Sequence, residues 1–307
     1  MESKFLGCIL GVAIGDALGR PFEGFHHIDP EKVERTAEFK SLTYTDDTHM
    51  TIGVAESLIR SRGFNGEHMA ETFIRNYEDE PHRGYGPGPP AVFKMIKRGM
   101  PWKDSDKKLY PGGSFGNGSA MRVAPVGLFY YDDSEKLRRI AYESSRITHS
   151  HELGMEAAAL QAYTVALAVS RDPAEPVGPG LYLRKLKAFT GNSVYRGKLE
   201  LAENLLSEKL ERSKIASKLG NSIEAFNSVP AAIFSFLAKL GSFKESVIYA
   251  VSLGGDADTI GSMTGAIAGA YYGYEAIPGK WLEKLENREH LEKLALKLLA
   301  IRESHRI

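Results

Sequence analysis

The stretch Gly254-Gly255-Asp256-Ala257-Asp258-Thr259 runs into a helical pattern that carries glycine at 261, 265, 269 and 273. A glycine in a helix interior costs ~1 kcal/mol relative to alanine, so a whole ridge of them calls for compensation. Close approach of a second helix supplies it, because aligned glycines let backbones meet along the four-residue ridges. An equal stripe lies early in the chain, at Gly7, Gly11, Gly15 and Gly19. Spacing alone does not say whether the two stripes face each other or unrelated helices. If they cross antiparallel, Asp16 and the nearby Glu23 come to lie beside Asp256 and Asp258.

A second acidic motif, Thr45-Asp46-Asp47-Thr48, also stands where a turn enters a helical pattern. Carboxylates and hydroxyls are hard oxygen ligands suited to magnesium, manganese or calcium, while zinc and copper favour imidazole and thiolate. Four carboxylates brought together would need cations to relieve their repulsion. The competing reading makes these residues helix N-caps that satisfy free N–H groups and suit the positive end of the helix dipole. A cap needs one such side chain, and both motifs double it.

At 307 residues, with 43% hydrophobic content, the chain is long enough for a sizeable core in one large domain or two ordinary ones. Lys plus Arg equals Asp plus Glu at 39 each, so the basic field of a phosphate-tracking DNA binder is missing. The single cysteine, Cys8, excludes an internal disulfide and a cysteine-based zinc site, and fits a reducing compartment. Lys4 followed by an apolar stretch superficially resembles a secretory signal, but the glycine period and Asp16 mark a packed helix instead. No uninterrupted apolar run reaches the ~20 residues of a membrane span. A cytoplasmic protein is expected.

The hydrophobic period is helical almost throughout: Thr48–Arg62, Ala120–Tyr130, Ser134–Ile147, Leu153–Ser170, Leu199–Leu210, Ala231–Leu240, Phe243–Leu253, Thr259–Tyr272 and His290–Ile301. Alternating β-branched strands are scarce. The expectation is one all-α domain over residues 1–307, with Pro173–Gly180 the nearest thing to a boundary.

Gly112-Gly113-Ser114-Phe115-Gly116-Asn117-Gly118 precedes one of these helices. Exposed N–H groups of such a loop make an anion cradle suited to a diphosphate; an ordinary flexible connection is the alternative. It is not a P-loop, since the Lys-Ser/Thr ending is absent. Tyr110 and Phe115 supply rings of the kind that stack on adenine. His149, in Thr148-His149-Ser150-His151, lacks the spacing of a zinc protease and reads as a positioning hydrogen-bond group. There is no Gly-x-Ser-x-Gly elbow, and Cys8 lies in an apolar helix, so nucleophilic serine or cysteine chemistry has no support.

Taken together, Gly15-Asp16-Ala17-Leu18-Gly19 with Glu23, Tyr44 to Met50, Gly113 to Arg122, Thr148-His149 and Ser252 to Ile260 resemble the ADP-ribosylglycohydrolases over nearly the whole chain. Arg83 to Gly88, Leu219-Gly220-Asn221 with Phe226 to Pro230, and Ala266 to Gly273 are similar to the branch that removes ADP-ribose from serine and degrades poly(ADP-ribose) and O-acetyl-ADP-ribose.

The resemblance implies an all-α fold with a dinuclear metal cleft and hydrolysis at C1″ of ADP-ribose. It implies two Mg2+ ions, with Mn2+ an alternative, held by Thr45, Asp46, Asp47, Asp256, Asp258 and Thr259. Asp47 and Asp258 then belong to the catalytic centre, and Glu23 acts near the scissile bond on the leaving group or as a gate. Gly86, Tyr110, Gly113, Ser114, Phe115, Gly116, Asn117 and His149 would embrace the diphosphate and adenosine. Close relatives often have Tyr where this chain has Phe115, which keeps the ring and loses a hydroxyl. The partners implied are ADP-ribose-containing substrates, without DNA or membrane, acted on by a monomer. Competing readings are an arginine-linked ADP-ribose hydrolase, a non-catalytic ADP-ribose binder or crystallin-like relative, and an Asp-x-Asp phosphohydrolase or glycosyltransferase. The last usually follows a strand, whereas Tyr249 to Ser252 continues a helix.

Overall fold

Residues 1–174 and 178–304 are described by the computed structural model, and their regular structure is helical: eighteen α-helices and two short 3-10 turns, with no strand among the described residues. In chain order the helices are α1 (Glu2–Gly19), α2 (Pro30–Phe39), α3 (Asp46–Ser61), α4 (Gly66–Asp79), α5 (Gly88–Lys97), α6 (Ser105–Leu109), α7 (Gly118–Met121), α8 (Ala124–Phe129) and α9 (Ser134–Ser145). They continue with α10 (Glu152–Val169), α11 (Pro179–Phe189), α12 (Ser193–Ser207), α13 (Arg212–Leu219), α14 (Ala225–Ala238), α15 (Phe243–Val251), α16 (Ala257–Tyr272), α17 (Gly279–Lys284) and α18 (Arg288–Glu303). The expected all-α fold is the one observed.

The two glycine stripes face each other. A methyl group placed on Gly7 would sit 2.4 Å from the Gly269 carbonyl, one on Gly11 2.1 Å from that of Gly265, and one on Gly15 2.0 Å from that of Gly261. The pairing runs antiparallel, and at its far end a methyl on Gly19 would meet Asp258 Cα at 2.3 Å. Such contact leaves no room for any side chain, which is the compensation for so many helix-weakening residues. It also sets the last turn of α1 against the first turn of α16. By length and apolar content α1 could cross a membrane. Here it lies in the core, packed on α16 and flanked by α18 and α3.

Local chemistry sets the helix starts. Asp29, Asn65, Asp133, Asn192 and Ser242 each accept a first-turn N–H of the helix they precede. Three expected segments differ from what forms. Ala120–Tyr130 is two short helices, α7 and α8, separated at Arg122-Val123, because Pro125 has no N–H to continue the first and sits in the opening turn of the second. The helix expected from Ala231 begins at Ala225 and carries Pro230 inside it. The helix expected over Leu199–Leu210 starts earlier, at the Asn192 cap, and ends at Ser207. Of the candidate boundary Pro173–Gly180, residues 175–177 lie outside the described residues. Helix α10 before it packs against α11, α14 and α16 after it.

Candidate functional site

The antiparallel pair puts Asp16, fully buried in the last turn of α1, against the start of α3. Asp16 Oδ1 accepts hydrogen bonds from Thr45 N (3.0 Å) and Thr45 Oγ1 (2.9 Å), and Oδ2 accepts from Thr48 N (3.1 Å) and Thr48 Oγ1 (2.6 Å). A carboxylate from one helix therefore caps another, satisfying its N-terminal N–H groups and facing the positive end of its dipole. This fixes the rotation of α3, so that Asp46 and Asp47 emerge at the α1–α16 crossing. Thr45 is the N-cap of α3, taking Asp47 N at 3.4 Å. Capping and ligand presentation coexist in one motif. Sequence reasoning brought Asp16 near the site but did not reveal this bracing role. Its signal was the Thr45/Thr48 pair, each offering an N–H and a hydroxyl to one acceptor.

The late motif is shaped by Gly254 and Gly255, at φ +71° and +69°, where a side chain would be strained. A methyl on Gly255 would also lie 2.1 Å from the Asn221 carbonyl. That carbonyl accepts Asp256 N at 2.8 Å, while Gly24 N donates to Gly255 O and Gly255 N to Phe25 O, each at 2.8 Å. These two bonds tie the Glu23 loop to the acidic turn. As a result, carboxylate oxygens of Glu23, Asp256 and Asp258 all lie within 4.8 Å of one another, a cluster that could hold a metal ion. Thr259 Oγ1 donates to Asp47 Oδ2 at 3.3 Å, joining the late motif directly to the early one. From the third side, Gly84 brings its backbone close to Asp46: a methyl there would lie 3.8 Å from Oδ1.

The electrostatics of this arrangement are unfavourable without a cation. Burial, then the charge of Asp256, pushes Asp258 up to about 9. Burial followed by Asp16 moves Asp46 to about 7 and raises Asp47 well above the carboxylate range. Asp256 is also raised by burial, against a hydrogen bond from Asn117, and burial brings Asp16 to about 6 in spite of the N–H and O–H donors of Thr45 and Thr48. The Oδ1 of Asp47 is buried with no hydrogen-bond partner. An acceptor in that state, amid the carboxyls of Asp16, Asp46, Asp256 and Asp258, fits a hard divalent cation.

The glycine loop lies beside this cluster, joined to it by Asn117, whose Nδ2 bonds Asp256 Oδ2 and, at 3.0 Å, Ser228 Oγ. Residues 221–225 staple the two parts: Asn117 N donates to Ile223 O and Ala225 N to Phe115 O, while Asn221 holds the acidic turn. That segment was not singled out as a site from sequence chemistry. The cradle expected of the loop is smaller than its glycine content suggests. Gly113 N donates to Tyr110 O, Ser114 N to Asp106 Oδ2, and Gly116 N to Ser114 Oγ, so these groups are already committed within the protein.

His149 is buried against the loop, its Cε1 2.7 Å from where a Gly118 methyl would be, and burial followed by the Arg122 charge lowers it to about 3. Phe115 is 44% exposed, with ring neighbours His151 and Phe226, which leaves a face open to a ligand. Tyr110 is partly exposed with its hydroxyl against Gly88, and the space beside Gly86 is open. The structure thus joins Glu23, Asp46, Asp47, Asp256, Asp258 and Thr259 in one cluster, with Thr45 bracing it and Asn117 linking it to the loop.

Comparison with known proteins gives this geometry a context. The family model for ADP-ribosylglycohydrolase matches residues 1–306. Human ADP-ribosylhydrolase ARH3 is 33% identical over 96% of this chain and 93% of its own length. A protein of Archaeoglobus fulgidus described as uncharacterized is 35% identical, over 97% and 96% of the two chains. A solved structure described as an ADP-ribosylglycohydrolase-related protein complex superposes with a TM-score of 0.77 at 29% identity, covering 98% of each chain.

Proposed function

This chain belongs to the ADP-ribosylglycohydrolase family and is a hydrolase of ADP-ribose glycosidic linkages; on that premise we propose that its substrates are serine-linked ADP-ribose on proteins, poly(ADP-ribose) and O-acetyl-ADP-ribose. The similarity to ADP-ribosylhydrolase ARH3 over nearly the full length supports this branch, as do the Arg83–Gly88 and Leu219–Asn221 motifs. The observation that carries the reading is the convergence of Glu23, Asp256 and Asp258 within 4.8 Å, with Asp47 joined to them through Thr259. Thr45, Asp46, Asp47, Asp256, Asp258 and Thr259 would hold a pair of Mg2+ ions, with Mn2+ able to replace them. Bound there, the ions would supply positive charge for the ribose hydroxyls and for an attacking water.

The chain's own residues do the rest. Hydrolysis joins the oxygen of water to C1″, breaks the bond from C1″ to the acceptor oxygen, and delivers a proton to that departing oxygen. Glu23 is exposed at the rim of the cluster, on a loop held by Gly24 and Phe25, and would be the carboxyl that meets the acceptor side. The Gly113–Asn117 loop, Gly86 and His149 hold the diphosphate and adenosine, with Phe115 offering a ring to adenine. The enzyme would act as a cytoplasmic monomer.

The test is a release assay with Mg2+ on serine-linked, arginine-linked and polymeric ADP-ribose and on O-acetyl-ADP-ribose. Release from the serine, polymer and acetyl substrates with little from arginine is expected. Preference for arginine would overturn the branch, and release from none would overturn catalysis in favour of ADP-ribose binding alone.

A further inference from the structure

Arg122 is among the largest fully buried side chains, at 1% exposure, and its guanidinium is held by neutral groups. Its NH1 donates to Thr148 Oγ1 at 2.8 Å and to Gly118 O at 3.1 Å, its NH2 donates to Ser144 O at 3.2 Å, and the group lies 4.8 Å from the centre of the Phe73 ring. Burying a guanidinium without a carboxylate is costly, and its position at the α7–α8 break puts it behind the glycine loop. Thr148 Oγ1 also lies 2.8 Å from His149 Nδ1.

The direction of that second bond follows from the first. Arginine can only donate, so one lone pair of the Thr148 hydroxyl is occupied. Were Nδ1 protonated, the hydroxyl would accept twice, and its own proton would be stranded in a site only 2% exposed, where an unsatisfied donor is costly. The satisfied arrangement has Thr148 donating to Nδ1. The ring proton then resides on Nε2, which faces Gly116 and Gly118 at 3.3 Å and 3.0 Å from where their methyls would be. The backbone of His149 is clamped as well, its N–H donating to Ser145 O at 2.7 Å and its carbonyl accepting Ser145 Oγ at 2.7 Å.

We infer that Arg122 and Thr148 are positioning residues: they fix His149 as the Nε2-protonated tautomer, so that the ring offers an N–H donor to a phosphate or ribose oxygen of a ligand lying on the Gly113–Asn117 loop. The ligand rests on the proposed function, whereas the tautomer does not. The relay makes the donor permanent, because Arg122 holds Thr148 oriented whether or not ligand is present.

The test uses the full chain with 15N-labelled histidine, His149 being assigned by the signal lost in His149→Gln. Wild type should show Nδ1 as the unprotonated acceptor and Nε2 as the protonated nitrogen. Thr148→Val, which keeps the shape and removes the hydroxyl, should give a mixture of tautomers and weaken ADP-ribose binding by ~3–10-fold in calorimetry. Thr148→Ser should restore both signatures, which a merely space-filling role for Thr148 would not require. Protonated Nδ1 in wild type overturns the relay, as does an unchanged tautomer in Thr148→Val. Wild type that fails to bind ADP-ribose, with the tautomer as stated, instead overturns the substrate reading and the ligand contact built on it.

Discussion

Asp258→Asn should stabilise the metal-free protein while abolishing turnover. Asp258 is 5% exposed and is pushed from 3.8 to about 9, first by burial and then by the charges of Asp256, Asp16 and Glu23. Its native carboxyl holds a proton more tightly than the unfolded chain does, so stability is lost as pH rises from about 4 through about 9. Each tenfold difference in proton affinity is worth ~1.4 kcal/mol, and the mismatch between native and unfolded chains at pH 8 therefore costs on the order of 2–5 kcal/mol. Asparagine keeps the shape, carries no charge and retains an oxygen for the Thr259 N–H, which lies 2.9 Å from Asp258 Oδ1.

At ~2 °C per kcal/mol for a chain of this size, the metal-free variant should melt about 4–10 °C above wild type at pH 8. The gap should narrow steadily toward pH 4.5, where the unfolded carboxyl also begins to take up its proton. Calorimetric melts in chelator across that pH range measure it, and added Mg2+ should raise the wild-type melting temperature but not that of the variant. A variant less stable than wild type at pH 8, or a gap independent of pH, would refute the account of the site as a set of mutually repelling carboxyls.

Asp47→Ala should abolish turnover and weaken Mg2+ binding, since it removes the orphaned buried oxygen; calorimetry showing undiminished metal binding counts against the site. Glu23→Ala should slow release of ADP-ribose by ~100-fold or more yet leave ADP-ribose affinity within about threefold, and a matching loss of affinity would make Glu23 a binding group instead. Gly265→Ala would gain ~1 kcal/mol in helix propensity, but its methyl would lie 2.0 Å from the Gly11 carbonyl. A net loss of about 1–3 kcal/mol in denaturant unfolding is expected, and a gain would contradict the close contact of α1 with α16.

The helical class, the two acidic motifs and the glycine stripes were legible because each is a local pattern with a physical cost that demands a partner. That the stripes face one another was not, since spacing names no partner, and only the structure pairs Gly11 with Gly265. Asp16 was visible as a neighbour of the site but not as the cap of α3, because its partners, Thr45 and Thr48, are remote in sequence. Arg122 read as the end of a motif inside a continuous helix, and Pro125 instead breaks the backbone there. The staple at 221–225 was legible only at Asn221, whose side chain bonds Leu253 O, because its other links run through main-chain groups, which carry no signature of residue type. Which N–H groups of the glycine loop are left for a ligand was not legible either, since those of Gly113, Ser114 and Gly116 bond within the protein.

Gly7 touching Gly269 has a consequence for how the enzyme comes into being. A ribosome must release the chain through Tyr272 before α16 can dock on α1, so a nascent chain, or one terminated before α16, holds Asp46 and Asp47 without their counterparts. Such a chain is catalytically silent, however well its early helices have formed. Closing so long a loop adds little to the equilibrium cost, because loop entropy grows only logarithmically, but it weighs on the rate of folding. Activity should therefore be the last property to appear during synthesis and among the first lost when the α1–α16 seam opens.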